Sequence, residues 1–323
     1  MHHFCTLFDI NYASRGLAMM RSLHAHLPDS HIHVLCMDTK TQDFFTALQL
    51  EYVSLIALHT LEAEEPRLET CKQARNTAEY CWTLSSVLTR HLMNTLAEID
   101  RLTYLDADLL FFSSPQNLFD EMGARDIAIL EHRYAPHLQH LMQFGRFCVQ
   151  WVSFRRSQTG LKCLNTWAEQ CLDWCFAYAE PTRYGDQKYL DAWPASYGDE
   201  LAILQNIGAG IAPWNFIQYD MGHDASSPTV NQQPLVFYHF HQFKKMRFGL
   251  FSHCSYFYSR GRPTPKAIYN SYEIALDDAH AAVIRETGLQ HAGVTPILDV
   301  FKTRLGHFLI PTSIRNKLRR LFG

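Results

Sequence analysis

The chain carries no excess charge of either sign. Its 29 lysines and arginines against 32 acidic residues leave a formal charge of −3. The strongly basic face that nucleic acid requires is therefore missing, and nucleic acid is not expected as a partner. No window approaches the roughly 18 uninterrupted apolar residues of a membrane-spanning helix. The first residues, Met1, His2, His3 and Phe4, run straight into strand-like sequence without the basic stretch, apolar core or small-residue cleavage site of a signal peptide. Nine cysteines are present, an odd number, and none forms a CxxC pair of zinc-site spacing. Cys5, Cys36, Cys163, Cys171 and Cys175 sit in apolar surroundings and read as small buried hydrophobes, which suits a reduced, cytoplasmic protein. A Gly-rich basic phosphate loop is also missing after the first strand-like run. Positions 9–16 offer only Arg15 and Gly16 in its place, which argues against a sugar nucleotidylyltransferase.

What is present is an ordinary globular composition of 323 residues, 47% hydrophobic and 19% charged, enough for one large domain or two smaller ones. Apolar runs at 3–8 and 31–37 flank a helical spacing over 12–27, through Leu17, Met20, Leu23 and Leu27. A helical patch at 42–50 leads to a third run at 52–58. A long helical stripe over 68–97 then ends before the strand-like segment 101–112. Further strands are expected at 127–130, 149–154 and 235–241, with a helix opening at Ser157 whose Trp167 and Trp174 read as core. The alternation predicts an α/β fold with a mixed, mostly parallel sheet flanked by helices. Past residue 242 the composition shifts, and a helical appendage is expected from about 265. The expected division is a catalytic domain over 1–250 and an accessory helical region over 251–323.

Within Leu102-Thr103-Tyr104-Leu105-Asp106-Ala107-Asp108-Leu109-Leu110-Phe111-Phe112, two carboxylates lie one residue apart in an apolar run. Burying them is costly unless a cation compensates, so the pair asks for a divalent metal bearing a phosphate ligand. A similar pattern occurs in aspartyl phosphatases, but Leu109 follows the second Asp here. In Tyr184-Gly185-Asp186-Gln187, the Gly allows close backbone approach, and Asp186 with Gln187 offers an acceptor and an amide to sugar hydroxyls; a plain helix cap would place Asp there too. In Val236-Phe237-Tyr238-His239-Phe240-His241-Gln242-Phe243-Lys244-Lys245, strand alternation sends His239 and His241 to one face, a possible metal pair, with Lys244 and Lys245 available to phosphate.

In this order the pieces resemble the GT-A nucleotide-sugar glycosyltransferases, in particular the retaining glycogenin-like and lipopolysaccharide-galactosyltransferase-like group. The resemblance spans residues 3–247 through Phe4-Cys5-Thr6-Leu7 with Asn11-Tyr12, Cys81-Trp82-Thr83-Leu84, the Asp pair, Gly185-Asp186-Gln187, and His239-Phe240 with Lys245. It implies a GT-A, Rossmann-like sheet, a Mn²⁺ or Mg²⁺ held by Asp106, Asp108 and His239 on the diphosphate of a UDP-sugar, and Lys245 neutralising the leaving diphosphate. Thr6 and Tyr12 would seat the uracil, and Asp186 and Gln187 would lie on the reacting face of the donor sugar. Segment 206–215 resembles the acceptor-side loop of bacterial relatives, with Trp214 a stacking face for a sugar or a plug for a core edge, and Asn215 and His241 on the same side. The implied activity is hexose transfer from a UDP-sugar to a glycan or lipid-linked saccharide, with retention, in bacterial surface polysaccharide or lipopolysaccharide synthesis. A protein-modifying glycosyltransferase and a catalytically silent nucleotide-sugar-binding module are the alternatives. Where the family has an Asn-x-Gly turn this chain has Cys148-Val149-Gln150, and the Lys-Pro-Trp ending is absent, since Met246 follows Lys245.

The last residues, 302–323, hold Lys302, Arg304, Arg315, Lys317, Arg319 and Arg320 with no acidic residue, while Ile314, Leu318, Leu321 and Phe322 recur at helical spacing. Such a cationic amphipathic end suits an anionic membrane surface, each basic residue contributing about 1 kcal/mol. Peripheral attachment to the inner face of the inner membrane is the expectation; a terminal helix packed on its own domain is the alternative.

Overall fold

A computed structural model describes residues 1–224 and 227–300 of the chain. Phe4 to Phe8 are buried on both faces, as a strand inside a helix-covered sheet must be, and form the centre of β1 (His2–Phe8). The chain continues through α1 (Ala13–His26), β2 (Ser30–Cys36), α2 (Thr39–Leu48) and β3 (Val53–Ala57), the expected strand-helix alternation. A short helix α3 (Leu58–Glu64) follows.

The stripe over 68–97 resolves into two helices, α4 (Arg67–Ala74) and α5 (Thr77–Thr95). Arg75 adopts extended backbone, and Asn76 restarts the helix with a capping box. Its side chain accepts from the Glu79 amide at 3.1 Å, while the Glu79 carboxylate accepts from the Asn76 amide at 3.0 Å. Periodicity alone hides such a break, because both helices present their apolar face to the same sheet.

The segment 101–112, expected as one strand, is interrupted at 106–108. It forms β4 (Arg101–Leu105) and β5 (Leu109–Phe111), which belong to different sheets. After α6 (Gln116–Met122), β6 (Ile127–Glu131) and β7 (Phe147–Arg155) come α7 (Gln158–Asp173) and β8 (Leu201–Leu204). The seven-stranded sheet has the order β3-β2-β1-β4-β7-β6-β8 and is parallel except where β7 pairs with β4 and β6. Its architecture is the mixed, mostly parallel α/β sheet that the sequence predicts.

Two apolar layers cover the sheet. One joins Phe4, Leu17, Met20 and Phe44 to Ile268, Tyr269, Tyr272 and Leu276 of the helix Lys266–Thr287; the other joins Cys5 and Leu7 to α4, α5 and α7. Trp167 is fully buried in the second layer. All nine cysteines are free. Among the described residues no helix is long and apolar enough to cross a membrane. The basic tail at 302–323, on which the expected membrane contact rests, lies outside the described residues.

The adjacent inner strands β1 and β2 gather His3 and His31, paired in register, with His33 two residues on, the three rings in contact at 5.0–5.9 Å between centroids. Burial, then the charges of His31 and His3, hold His33 down to about 3. An imidazole depressed in the folded state leaves stability intact above its unfolded pKa and removes it as pH falls below that value. Between pH 7 and pH 5, His33 alone is expected to remove about 2 kcal/mol. Urea unfolding at both pH values will show it, and His33→Gln should shrink the loss; an unchanged loss in the variant would refute the assignment.

Candidate active site

β4 delivers its carboxyl end to the sheet edge, where ligands of open α/β sheets bind. There the chain turns through Asp106, Ala107 and Asp108 before β5 starts, with the Asp106 amide donating to the Gln150 carbonyl at 3.4 Å. β5 then pairs antiparallel with the strand Phe237–His239, setting Leu109 opposite His239. That register brings the imidazole beside the carboxylates, and the Phe240 amide donates to the Asp108 carbonyl at 2.9 Å. His239 Nε2 lies 3.1 Å from Asp108 and 3.9 Å from Asp106.

The three groups hold opposite charge states. Burial raises Asp106 to about 6, with the charge of Asp108 adding and His239 opposing. Burial also works on Asp108, but the charge and hydrogen bond of His239 overcome it. His241 and Arg15 reinforce them, and Asp108 falls well below the usual carboxylate range. Burial opposes a proton on His239, yet Asp108, then a hydrogen bond with Cys148 and then Asp106 push it well above its ordinary value.

The other face of the imidazole is fixed by Gln150, a fully buried residue of β7. An amide oxygen only accepts, so at 2.9 Å the Nδ1–H of His239 donates to Gln150 Oε1 and Nε2 is left to face the carboxylates. Gly210, with φ +71°, makes the room: a Cβ there would stand 3.0 Å from Gln150 Nε2. Trp214 packs edge-on against His239 at 5.0 Å and against His241 at 5.4 Å, so this buried indole is a wall for the histidines rather than an open platform. Asn215 is fully buried and turned inward. Its side chain donates to the His132 and Gly210 carbonyls and accepts from the Ala212 amide, each at 2.9 Å, which leaves nothing to offer an acceptor. His241 Nε2 lies 3.3 Å from the Tyr258 hydroxyl.

Lys245, expected at the diphosphate, is held instead by an ion pair with Asp277 on the helix Lys266–Thr287. Lys244 is half-buried and stands in the field of Arg15 and Asp108. Burial and then the charge of Arg15 lower its ammonium, while Asp108 opposes, so the three groups share one environment. Arg15 is buried and forms no ion pair with an acid among the described residues. Its guanidinium donates to the Asn11 and Phe243 carbonyls at 3.2 and 3.3 Å and lies 4.6 Å from the Tyr12 ring. Sequence reading missed Arg15 as a site residue; the signal was an arginine inside an otherwise apolar helix face. Thr6 is fully buried in β1, and its hydroxyl lacks a protein partner among the described residues. The Tyr12 residue is 38% exposed, yet desolvation raises its phenol to about 12, Arg15 opposing and Asp108 adding.

Gly185, at φ +51°, lets the chain pass the Trp82 ring, which a Cβ would meet at 3.1 Å. Asp186 follows, buried, with Oδ2 at 2.9 Å from the Ser85 hydroxyl of α5 and its carbonyl accepting from Trp167 Nε1 at 2.9 Å. Burial raises Asp186 to about 7; Ser85 opposes, and the charge of Asp106 adds, which puts the two carboxylates in one field. The Gln187 side chain donates to the Phe144 carbonyl at 2.8 Å.

No family model matches the sequence. Over 277 residues the chain is 30% identical to the uncharacterised protein YfnD of Bacillus subtilis (strain 168), covering 85% of this chain and 88% of that one. A second uncharacterised protein of that strain, YfnF, is 30% identical over 247 residues, 73% of this chain and 80% of its own length. Among solved structures the galactosyltransferase LgtC, in complex with donor and acceptor sugar analogues, superposes with a TM-score of 0.51 at 15% identity, over 85% of this chain and 95% of that one. The mixed, mostly parallel seven-stranded sheet flanked by helices is thus that of a GT-A glycosyltransferase fold, and the chain belongs to one family with YfnD and YfnF.

Proposed function

We propose that this protein is a metal-dependent glycosyltransferase that moves a hexose from a UDP-sugar to a saccharide acceptor, with retention. The observation that carries the reading is the meeting of His239 with Asp106 and Asp108 across two sheets. Two carboxylates and an imidazole are a donor set for Mn²⁺ or Mg²⁺, and the nitrogen favours manganese of the two. Asp106, Asp108 and His239 would hold the ion, which when bound neutralises charge on the diphosphate.

The chain's own groups divide the remaining work. Arg15 and Lys244 place positive charge where the departing diphosphate gathers negative charge, so their attraction grows toward the transition state. Thr6 offers a buried hydroxyl to the nucleoside, and Tyr12 a ring backed by Arg15. Asp186, held by Ser85 and Trp167, keeps a carboxyl near neutral pH on the donor side, and Gln187 lies beside it.

Titration calorimetry with a panel of UDP-sugars tests the reading. Binding of at least one donor is expected only with a divalent ion present, accompanied by slow UDP release. Equal binding after chelation, or no binding to any donor, would overturn it.

A further inference from the structure

Asp106, Cys148 and His239 are, among the described residues, the one group of three metal-ligating side chains whose ligand atoms all lie within 4.8 Å of one another. Ligand atoms at about 2.0–2.3 Å from one tetrahedral ion stand about 3.3–3.8 Å apart, so a contraction of up to about 1 Å closes this group on an ion. Cys148 is aimed there by an irregularity of β7, whose register with β6 shifts between the Ile129–Val152 and Leu130–Cys148 pairs. Gln150, two residues on, holds the Nδ1 side of His239, and the Cys148 thiol lies within 4.8 Å of a ring nitrogen of that imidazole. Hard oxygens suffice for manganese or magnesium; a sulfur among them changes the preference.

We propose that Cys148 is a direct thiolate ligand of the ion in this site, so that the site takes zinc or cobalt in preference to manganese or magnesium. The proposal rests on the donor-site reading above and decides which ion serves it. On binding, the sulfur–metal bond replaces the S–H bond, and the proton passes to solvent. The other cysteines stay out of reach; Cys81, the nearest in chemistry to the donor side, lies with its thiol against the Met37 sulfur at 3.4 Å.

The full-length protein, stripped with a chelator, is titrated with Co²⁺. A sulfur-to-cobalt charge-transfer band in the near ultraviolet is expected, lost in Cys148→Ser and kept in Cys81→Ser. The preference for zinc over manganese should fall in Cys148→Ser by at least the about 10–100-fold that follows loss of a supporting contact. Because the variant can misfold, the zinc-loaded parent protein is measured by X-ray absorption, with one sulfur neighbour expected at about 2.3 Å. A zinc shell of nitrogen and oxygen alone, or a cobalt spectrum unchanged in Cys148→Ser, overturns the proposal. Calorimetry with UDP on the same samples separates the readings: UDP binding with a sulfur-free shell sinks only the thiolate, whereas no UDP binding with any ion sinks the donor site as well.

Discussion

Asp108→Asn will release UDP from its donor about a thousandfold more slowly than the parent protein at saturating metal, the upper end of what one lost electrostatic group removes. Asparagine keeps the shape of the side chain and takes away only the charge. Asp108 is the carboxylate held ionised by His239, His241 and Arg15, and it lies 3.1 Å from the imidazole that must share its ion. Folding should survive, because His239 without its counter-charge sheds a proton and remains a neutral buried ring, an acceptable core group. A single unfolding transition at a lower midpoint, from the lost ion pair, with activity lost is therefore expected. Turnover within a few fold of the parent would remove Asp108 from the site.

Phe240→Ala will lower stability by about 3–5 kcal/mol, the range for emptying a large aromatic site in a packed core. Phe240 is 1% exposed, stacks on Tyr272 at 3.7 Å and 10°, and meets Phe243 and Tyr269 edge-on. These rings bind the strand carrying His239 to the helix Lys266–Thr287, so the cavity loosens the backbone next to the imidazole. Urea unfolding should show a lower midpoint in one transition, and donor affinity should weaken with it. A loss below about 1 kcal/mol would mean that the rings carry little of the packing.

The opening strand, helix and strand were legible because each apolar run is long enough to state its own period, and the Asp pair because buried charge stands out among Leu and Phe. His239 was legible as a neighbour of the carboxylates only through the family resemblance; what brings it there is the pairing of β5 with Phe237–His239, a contact distant in sequence. Lys245, which the resemblance assigns to the diphosphate, pairs with Asp277, while Lys244 stands in the field of Arg15 and Asp108; Gln242 at φ +63° interrupts the extended backbone between His239 and both lysines. Gln150 and Cys148 read as departures from a family turn, yet one orients the imidazole and the other stands within ligand distance of it. No pattern local to β7 carries that information. Asn215 illustrates the converse, a polar residue in a loop whose every hydrogen-bonding atom is spent on its own backbone surroundings.

Under the proposed metal role, the ribbon formed by β5 and Phe237–His239 would fix when an ion is captured. Its two edges are synthesised far apart, and the first offers only carboxylates until the second arrives. Cation loading would then be a late event in maturation, and once achieved it would act as a clasp between early and late parts of the chain. Saturation at a hundred times the dissociation constant would add about 2.7 kcal/mol to the folded state. Scarcity of the ion would consequently surface as shortened protein lifetime as well as idle enzyme.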